Sequence, residues 1–403
     1  MVEEARLRAA LEEMDQEADA VVAQAFQNDS VDELNEILHA FVATRDIREL
    51  DNPPQVLTDY INDLQDHVDT FDQDRIRNGQ DLFNINVGIC AAALTIASLP
   101  EAYAMKTSGA ILGRTQRLEG AAAFKRVAET SQFVLRIMTE RGLECFCEDQ
   151  SAAIGTGAIL RVRLMHAAIR RLVNKRQQGQ LRALQQDYST NDWEGKPINQ
   201  IELLFTLLCF SWVTLRAIRQ AYQTVTEQQA EDYVYLWSCV GKLMGIDAAL
   251  IPTTVAESEA MFKRLKAYGI GHSEEGEELT QSAIKVMEKM LIKKVFVPNW
   301  IAPSMTLILM SVFVDQETRD LLRVRKLNLL EVFLIKPAVL YGFKCLATLY
   351  GLFSSRRAND LKAELGYQML EYFANFPEEV GVADFIIPES LGGRLTLVAR
   401  AAD

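Results

Sequence analysis

At 403 residues the chain is long enough to bury a large core in one domain or two. It is 49% apolar and 24% charged, an ordinary globular balance, and its net charge is −13. Bulk electrostatics of that sign exclude nucleic acid and anionic membranes as general partners.

Helix signals dominate from the start. Residues 2–27 and 31–44 are expected to be acidic amphipathic helices separated by an Asp29-Ser30 cap, and 55–75 a polar helix after Asn52-Pro53-Pro54. The N-terminus lacks the basic and apolar regions of a signal peptide, so a cytoplasmic protein is expected. From Asp81 the composition turns to Ala, Ile and Leu. The expected division is therefore an acidic N-terminal helical layer over 1–80 and a main domain over 81–403. Helices are expected at about 82–98, 103–113, 120–142, 157–176, 198–224, 227–245, 253–267, 274–292, 302–313, 316–323, 328–351 and 356–374. Loops are expected at 148–156 and 187–197. With few strand signals and no repeat, the fold class is all-α, a large helical bundle.

Two apolar runs bear on membranes. Val87–Leu99 ends at Pro100 and is short of the roughly 20 residues that span a bilayer. Leu327–Phe353 is long enough but carries Glu331, Lys336, Pro337 and Lys344, which favours a buried helical pair and leaves peripheral membrane contact open. Six cysteines at 90, 145, 147, 209, 239 and 345 sit mostly in apolar helical contexts, as reduced thiols do.

Four segments carry side chains with chemical potential. In Arg126-Val-Ala-Glu129-Thr130-Ser-Gln-Phe133 a cation, a carboxylate, a hydroxyl and a ring fall within about a 100° arc of one helix. Arg163, His166 and Arg170 form an i, i+3, i+7 stripe in an aliphatic helix. An imidazole on such a helix suits a haem iron, and arginine beside it suits a propionate or bound dioxygen. From the residues alone, a lone histidine on such a helix is more often a satisfied core residue, and the arginines read equally well as an exposed basic stripe. Gly195-Lys-Pro197-Ile-Asn199-Gln200 starts a helix whose apolar run places Thr206 and Ser211 in the core, where hydroxyls usually bond back four residues. Finally, Trp237-x-x-x-Gly241-x-x-x-Gly245 leaves room for a helix or a flat macrocycle against its backbone.

Together with Leu99-Pro-Glu-Ala-Tyr103, these segments in this order resemble the latex-clearing protein (rubber oxygenase) and MpaB-type haem oxygenase family. The resemblance covers roughly residues 80–260 well and the C-terminal third loosely. It implies a globin-like haem-binding core, with haem b held non-covalently because Cys-x-x-Cys-His is absent. It also implies that His166 is the proximal ligand, that Arg126, Glu129 and Thr130 lie on the distal helix, and that Arg163, Arg170 and Thr206 lie near the cofactor. Rubber-cleaving members carry a lysine where this chain has Glu129. A carboxylate there is instead a candidate general base or proton relay. The expected function is oxidation or cleavage of a C=C bond in a small apolar molecule, an isoprenoid or lipid, with dioxygen. The alternatives are a non-catalytic haem-binding or sensing protein and a cofactor-free helical interaction protein.

Overall fold

The computed structural model describes residues 2–25, 54–106, 120–144, 153–177, 195–293 and 295–352. The expected helices at 31–44 and 356–374, most of 103–113, and most of both expected loops lie outside them. Among the described residues there is no strand; Met105 and Ile270 form an isolated bridge.

In chain order the helices are α1 (Glu4–Ala10), α2 (Gln16–Ala25), α3 (Gln55–Val68), α4 (Gln73–Ile85), α5 (Val87–Tyr103), α6 (Gly120–Met138) and α7 (Ile154–Gln177). They continue as α8 (Gln200–Gln220), α9 (Glu227–Leu243), α10 (Val255–Leu265), α11 (Glu274–Lys293), α12 (Ala302–Phe313), α13 (Gln316–Leu321) and α14 (Lys336–Leu352). Three π turns interrupt this pattern, Leu94–Ser98 in α5, Cys209–Val213 in α8 and Glu331–Ile335 just before α14.

Boundaries differ from the periodic expectation where a side chain captures a helix start. The single helix expected over 2–27 is broken between α1 and α2, and Asp15 accepts a hydrogen bond from the Ala18 amide. The helix expected over 55–75 stops at Val68, because Asp72 accepts from the amides of Asp74 and Arg75 and starts α4. Because α4 begins there, one helix runs across the composition change at Asp81. Asn199 and Glu202 form a reciprocal capping box at the head of α8.

Helix α4 lies closely along α9, where a side chain at Gly79 would come within 2.9 Å of the Asp232 carbonyl. Helix α7 packs against both α6 and α2, and α5 and α8 run through the interior. Leu7 of α1, Val22 of α2 and Leu57 of α3 are fully buried in the same apolar cluster as the later helices. Helix α8 is long and apolar enough to cross a bilayer, but 83% of its apolar window is buried, as in a core helix. The expected burial of the C-terminal pair is not observed. The 328–341 stretch packs on α12 along one side and leaves Leu329, Leu330, Phe333, Leu334 and Tyr341 exposed.

Candidate functional site

The α6–α7 pair brings two of the chemically active segments together. On α6, Glu129 is buried among Val127, Ala128 and Val134, and Thr130 beside it is only partly buried. Nothing is described of the Arg126 side chain. Between Ala158 and Arg170 on α7, every residue is buried except His166. Between Gln200 and Leu215 on α8, the partly exposed residues are Thr206 and Phe210, one turn apart. Interiors are close-packed, so single partly open positions on otherwise buried helices mark where space adjoins them. An aromatic ladder ties these helices together. The Phe133 ring lies 6.4 Å from Phe210, which stacks on Trp237 of α9 at 5.3 Å. Ser211 donates to the Leu207 carbonyl at 3.0 Å, the expected bond one turn back.

The arginines flanking His166 have a different partner from the one the resemblance implies. Arg163 and Arg170 lie within about 20° of each other around α7, with His166 some 40–60° further round. The arginine side meets α2. Arg163 is 3% exposed; its Nε donates to Asp15 Oδ2 at 2.6 Å and its Nη2 to Asp15 Oδ1 at 2.9 Å. Glu17 accepts from Nη2 at 2.7 Å, and the Tyr60 ring lies 5.2 Å beneath the guanidinium. Burial is the largest influence and acts to lower the Arg163 pKa, but the Asp15 hydrogen bonds and the neighbouring charges, Asp15 and Glu17 among them, together outweigh it and the net shift is upward. Burial without a comparable partner pushes the Tyr60 hydroxyl well up.

Arg170, 1% exposed, donates from Nε to Asp19 Oδ1 at 2.7 Å. Its Nη2 also approaches Asp19 at 2.7 Å, but neither terminal nitrogen makes a hydrogen bond among the described residues. Nη2 is thus ion-paired with Asp19, and Nη1 of this buried guanidinium is the nitrogen with neither contact among the described residues. Desolvation raises the Asp19 pKa despite the opposing pull of Arg170.

The other sequence motifs converge on the same N-terminal segment. Gly195, at φ +86°, allows the Lys196 amide to donate to the Leu11 carbonyl at 2.9 Å. The Gln200 amide donates to Glu13 O at 2.9 Å. Its side chain donates to Gly245 O at 3.0 Å and accepts from the Asp247 amide at 2.9 Å. Gly245 lies at φ +79°, and a Cβ there would come within 2.6 Å of Arg163 Nε and collide with Asp15. Gly241 makes the expected close approach, to Leu207 of α8. A pocket of about 420 Å³ opens beside this junction, walled by charges of both signs, among them Arg6, Glu17, Lys242 and Asp247.

Glu101, from the Leu99–Tyr103 motif, is wholly buried. It is held by Arg216 at 3.3 Å, Lys266 at 3.1 Å and the Thr318 hydroxyl at 3.1 Å. This cross-link of α5, α8 and α13 is structural.

The family model for the ER-bound oxygenase mpaB/B′ and rubber oxygenase catalytic domain matches residues 76–333. The chain belongs to this family. Among curated proteins it is 25% identical over 131 residues to the rubber oxygenase of Streptomyces sp. (strain K30). That match spans 32% of the chain and only 30% of the relative's length. The solved structure of latex clearing protein LCP in the closed state superposes with a TM-score of 0.69 at 18% identity, over 94% of this chain and 95% of that one. The likeness is one of fold, and it extends beyond the family match into the N-terminal helices. Membership makes the chain an oxygenase-family protein with an all-helical fold. Asp15, Asp19 and Phe210 are the residues of this region that the sequence did not single out.

Proposed function

We propose that this protein is a haem b-dependent oxygenase that oxidises or cleaves a C=C bond in a small apolar molecule, an isoprenoid or lipid. The observation that carries the reading is His166. It is the single incompletely buried residue between Ala158 and Arg170, on the helix that packs against α6, which carries Glu129 and Thr130. The residues fit the cofactor. An imidazole is the right donor for haem iron, and the buried Nη1 of Arg170, without a hydrogen-bond partner among the described residues, suits a propionate. The partly open Thr206 and Phe210 add a hydroxyl and an aromatic wall. When bound, haem b supplies activation of dioxygen at its iron.

The chain's own residues do the rest. His166 holds the cofactor and Arg170 orients it through a carboxylate. Thr130, partly open on α6, would offer a hydroxyl donor on the distal side, and Arg126 of the same helix is the candidate cation there. Glu129, a buried carboxylate between Ala128 and Thr130, accepts a proton from the substrate or relays one. Apolar neighbours Phe133 and Phe210 exclude water and favour an apolar substrate. Arg163 is committed to Asp15 and Glu17, so its role is to fix α7 rather than to touch oxygen.

The test is an absorption spectrum of protein expressed with haem precursor, beside His166→Ala. A Soret band with a b-type pyridine haemochrome, lost or shifted in the variant, is the expected result. A colourless wild type that takes up no added haemin defeats the reading. Oxygen uptake with candidate olefins then separates an oxygenase from a protein that only binds haem.

A further inference from the structure

The strongest feature that the oxygenase reading leaves unused is an apolar surface far along the chain. Phe296 is 84% exposed, Trp300 80% and Phe333 74%, with Leu330, Leu334 and Tyr341 also open to solvent. One contact joins the two stretches that carry them. The Ser304 hydroxyl donates to Glu331 Oε1 at 2.7 Å, which joins the first turn of α12 to the π turn before α14. Trp300 lies four residues before Ser304, and Leu330 and Phe333 flank Glu331. A large exposed apolar patch on a soluble surface marks a contact site.

The patch is held in shape. Glu331 is 1% exposed and accepts from Arg325 at 2.6 and 2.9 Å and from the Asn328 amide at 2.7 Å, which fixes the π turn from which the apolar side chains project. Phe296 is a non-glycine residue at φ +59°, a strained conformation retained at a nearly fully exposed aromatic residue. From Leu330 through the π turn into α14, Leu330, Phe333, Leu334, Pro337, Tyr341 and Lys344 follow one another at helical spacing on the exposed side.

Charge decides what the patch fits. The chain as a whole is at −13, but residues 289–314 contain no Asp or Glu. Of the cations after α13, Arg323, Arg325 and Lys326 pair with Glu277, Glu331 and Asp320, and Lys336 and Lys344 add positive charge beside the apolar side chains. An aromatic and aliphatic surface containing an exposed Trp, rimmed by cations, matches the interface of a bilayer with anionic headgroups. A second copy of this chain would bring the same cations against themselves.

We infer that the face formed by the 295–300 loop, the Glu331–Ile335 turn and the start of α14 docks the protein on an anionic lipid surface. Phe296, Trp300 and Phe333 enter the interface, and Lys336 and Lys344 meet the headgroups. The protein thereby works where an apolar substrate is concentrated, and the inference stands independently of the cofactor.

The experiment is co-sedimentation of the full chain with vesicles of phosphatidylcholine alone or with added phosphatidylglycerol. Binding is expected on the anionic vesicles, about ten-fold weaker on the neutral ones and reduced by salt. Trp300→Ser and Phe333→Asp should each lower partitioning about ten-fold with an unchanged helical spectrum. Trp300 lies outside the helices, so its substitution remains informative if the Phe333 variant misfolds. Lys336→Glu with Lys344→Glu should weaken binding to anionic vesicles alone. Absence of binding to either vesicle overturns the inference. So does concentration-dependent self-association that Phe333→Asp abolishes while vesicles are ignored, because a second copy would then own the face.

Discussion

Asp15 and Arg163, 148 residues apart, form a two-point buried pair in which both side chains are less than 5% exposed. The pair carries the N-terminal segment onto the helix that bears His166. Removing one member of a buried pair strands the other charge, at a cost of about 3–5 kcal/mol. Asp15→Ala should fall at the low end, because Glu17 still reaches Arg163. Glu17 is more than half exposed, so Glu17→Ala should cost under about 1 kcal/mol. Urea denaturation of both variants checks the ordering, and equal losses would refute the assignment of Asp15 as the principal partner.

Gly245 is required by the same pair. A Cβ at that position meets Asp15 and Arg163, and its φ of +79° disfavours any L side chain. Gly245→Ala should therefore destabilise by about 2 kcal/mol or more, above the roughly 1 kcal/mol of left-handed strain alone. Combining it with Asp15→Ala should cost less than the sum, since the collision partner is gone. Strict additivity in a double-mutant cycle would show that strain alone accounts for the glycine.

These contacts explain how much the sequence disclosed. Helix content followed from apolar periodicity, and His166 stood out because almost every neighbour on its helix is aliphatic or basic. Arg163 and Arg170 were legible as one stripe, but a stripe does not say what faces it. Their partners lie about 150 residues earlier, on a segment read as part of an uninterrupted acidic helix. The break at residues 11–15 depends on the Lys196 and Gln200 amides donating to the Leu11 and Glu13 carbonyls, a long-range pairing that no local pattern encodes. The C-terminal stretch erred in the opposite sense. Its hydrophobicity suggested burial, whereas only one side of it finds a neighbour.

Acid stability should report on Glu331. The hydrogen bonds from Arg325 hold its pKa down to about 2 against an opposing effect of burial, with the Asn328 amide and Ser304 helping. A carboxylate whose folded pKa is depressed stabilises the fold above its unfolded value near 4.5. That contribution disappears as pH falls through about 2. The stability advantage of the wild type over Glu331→Gln should thus be full at pH 7 and shrink progressively below pH ~4.5. A difference that is independent of pH would show that Arg325 does not select the ionised form.

Cofactor retention should depend on Arg170. Its Nε and Nη2 both lie on Asp19, while Nη1 has no hydrogen-bond partner among the described residues. Arg170→Lys keeps a charge for Asp19 and loses the planar fork that a propionate needs. Haem transfer to an apoglobin acceptor should then quicken about ten-fold, roughly the 1.4 kcal/mol of one charge-assisted bond. The Soret maximum should stay in place, because His166 is untouched. An unchanged transfer rate would remove Arg170 from the cofactor site.

Glu129 separates chemistry from binding. It lies buried on α6, one residue before the partly open Thr130, on the helix packed against the one bearing His166. Glu129→Gln preserves shape and removes the proton acceptor, so the Soret band and haem content should persist while oxygen uptake with an active olefin falls about 100-fold. Glu129→Asp, which retains a carboxylate one methylene shorter, should recover part of that loss. A Gln variant with wild-type turnover would assign proton handling elsewhere and leave Glu129 a buried structural carboxylate. A Gln variant that loses haem would place it in cofactor retention instead. The 100-fold drop with intact absorbance is the outcome that a purely structural carboxylate does not produce.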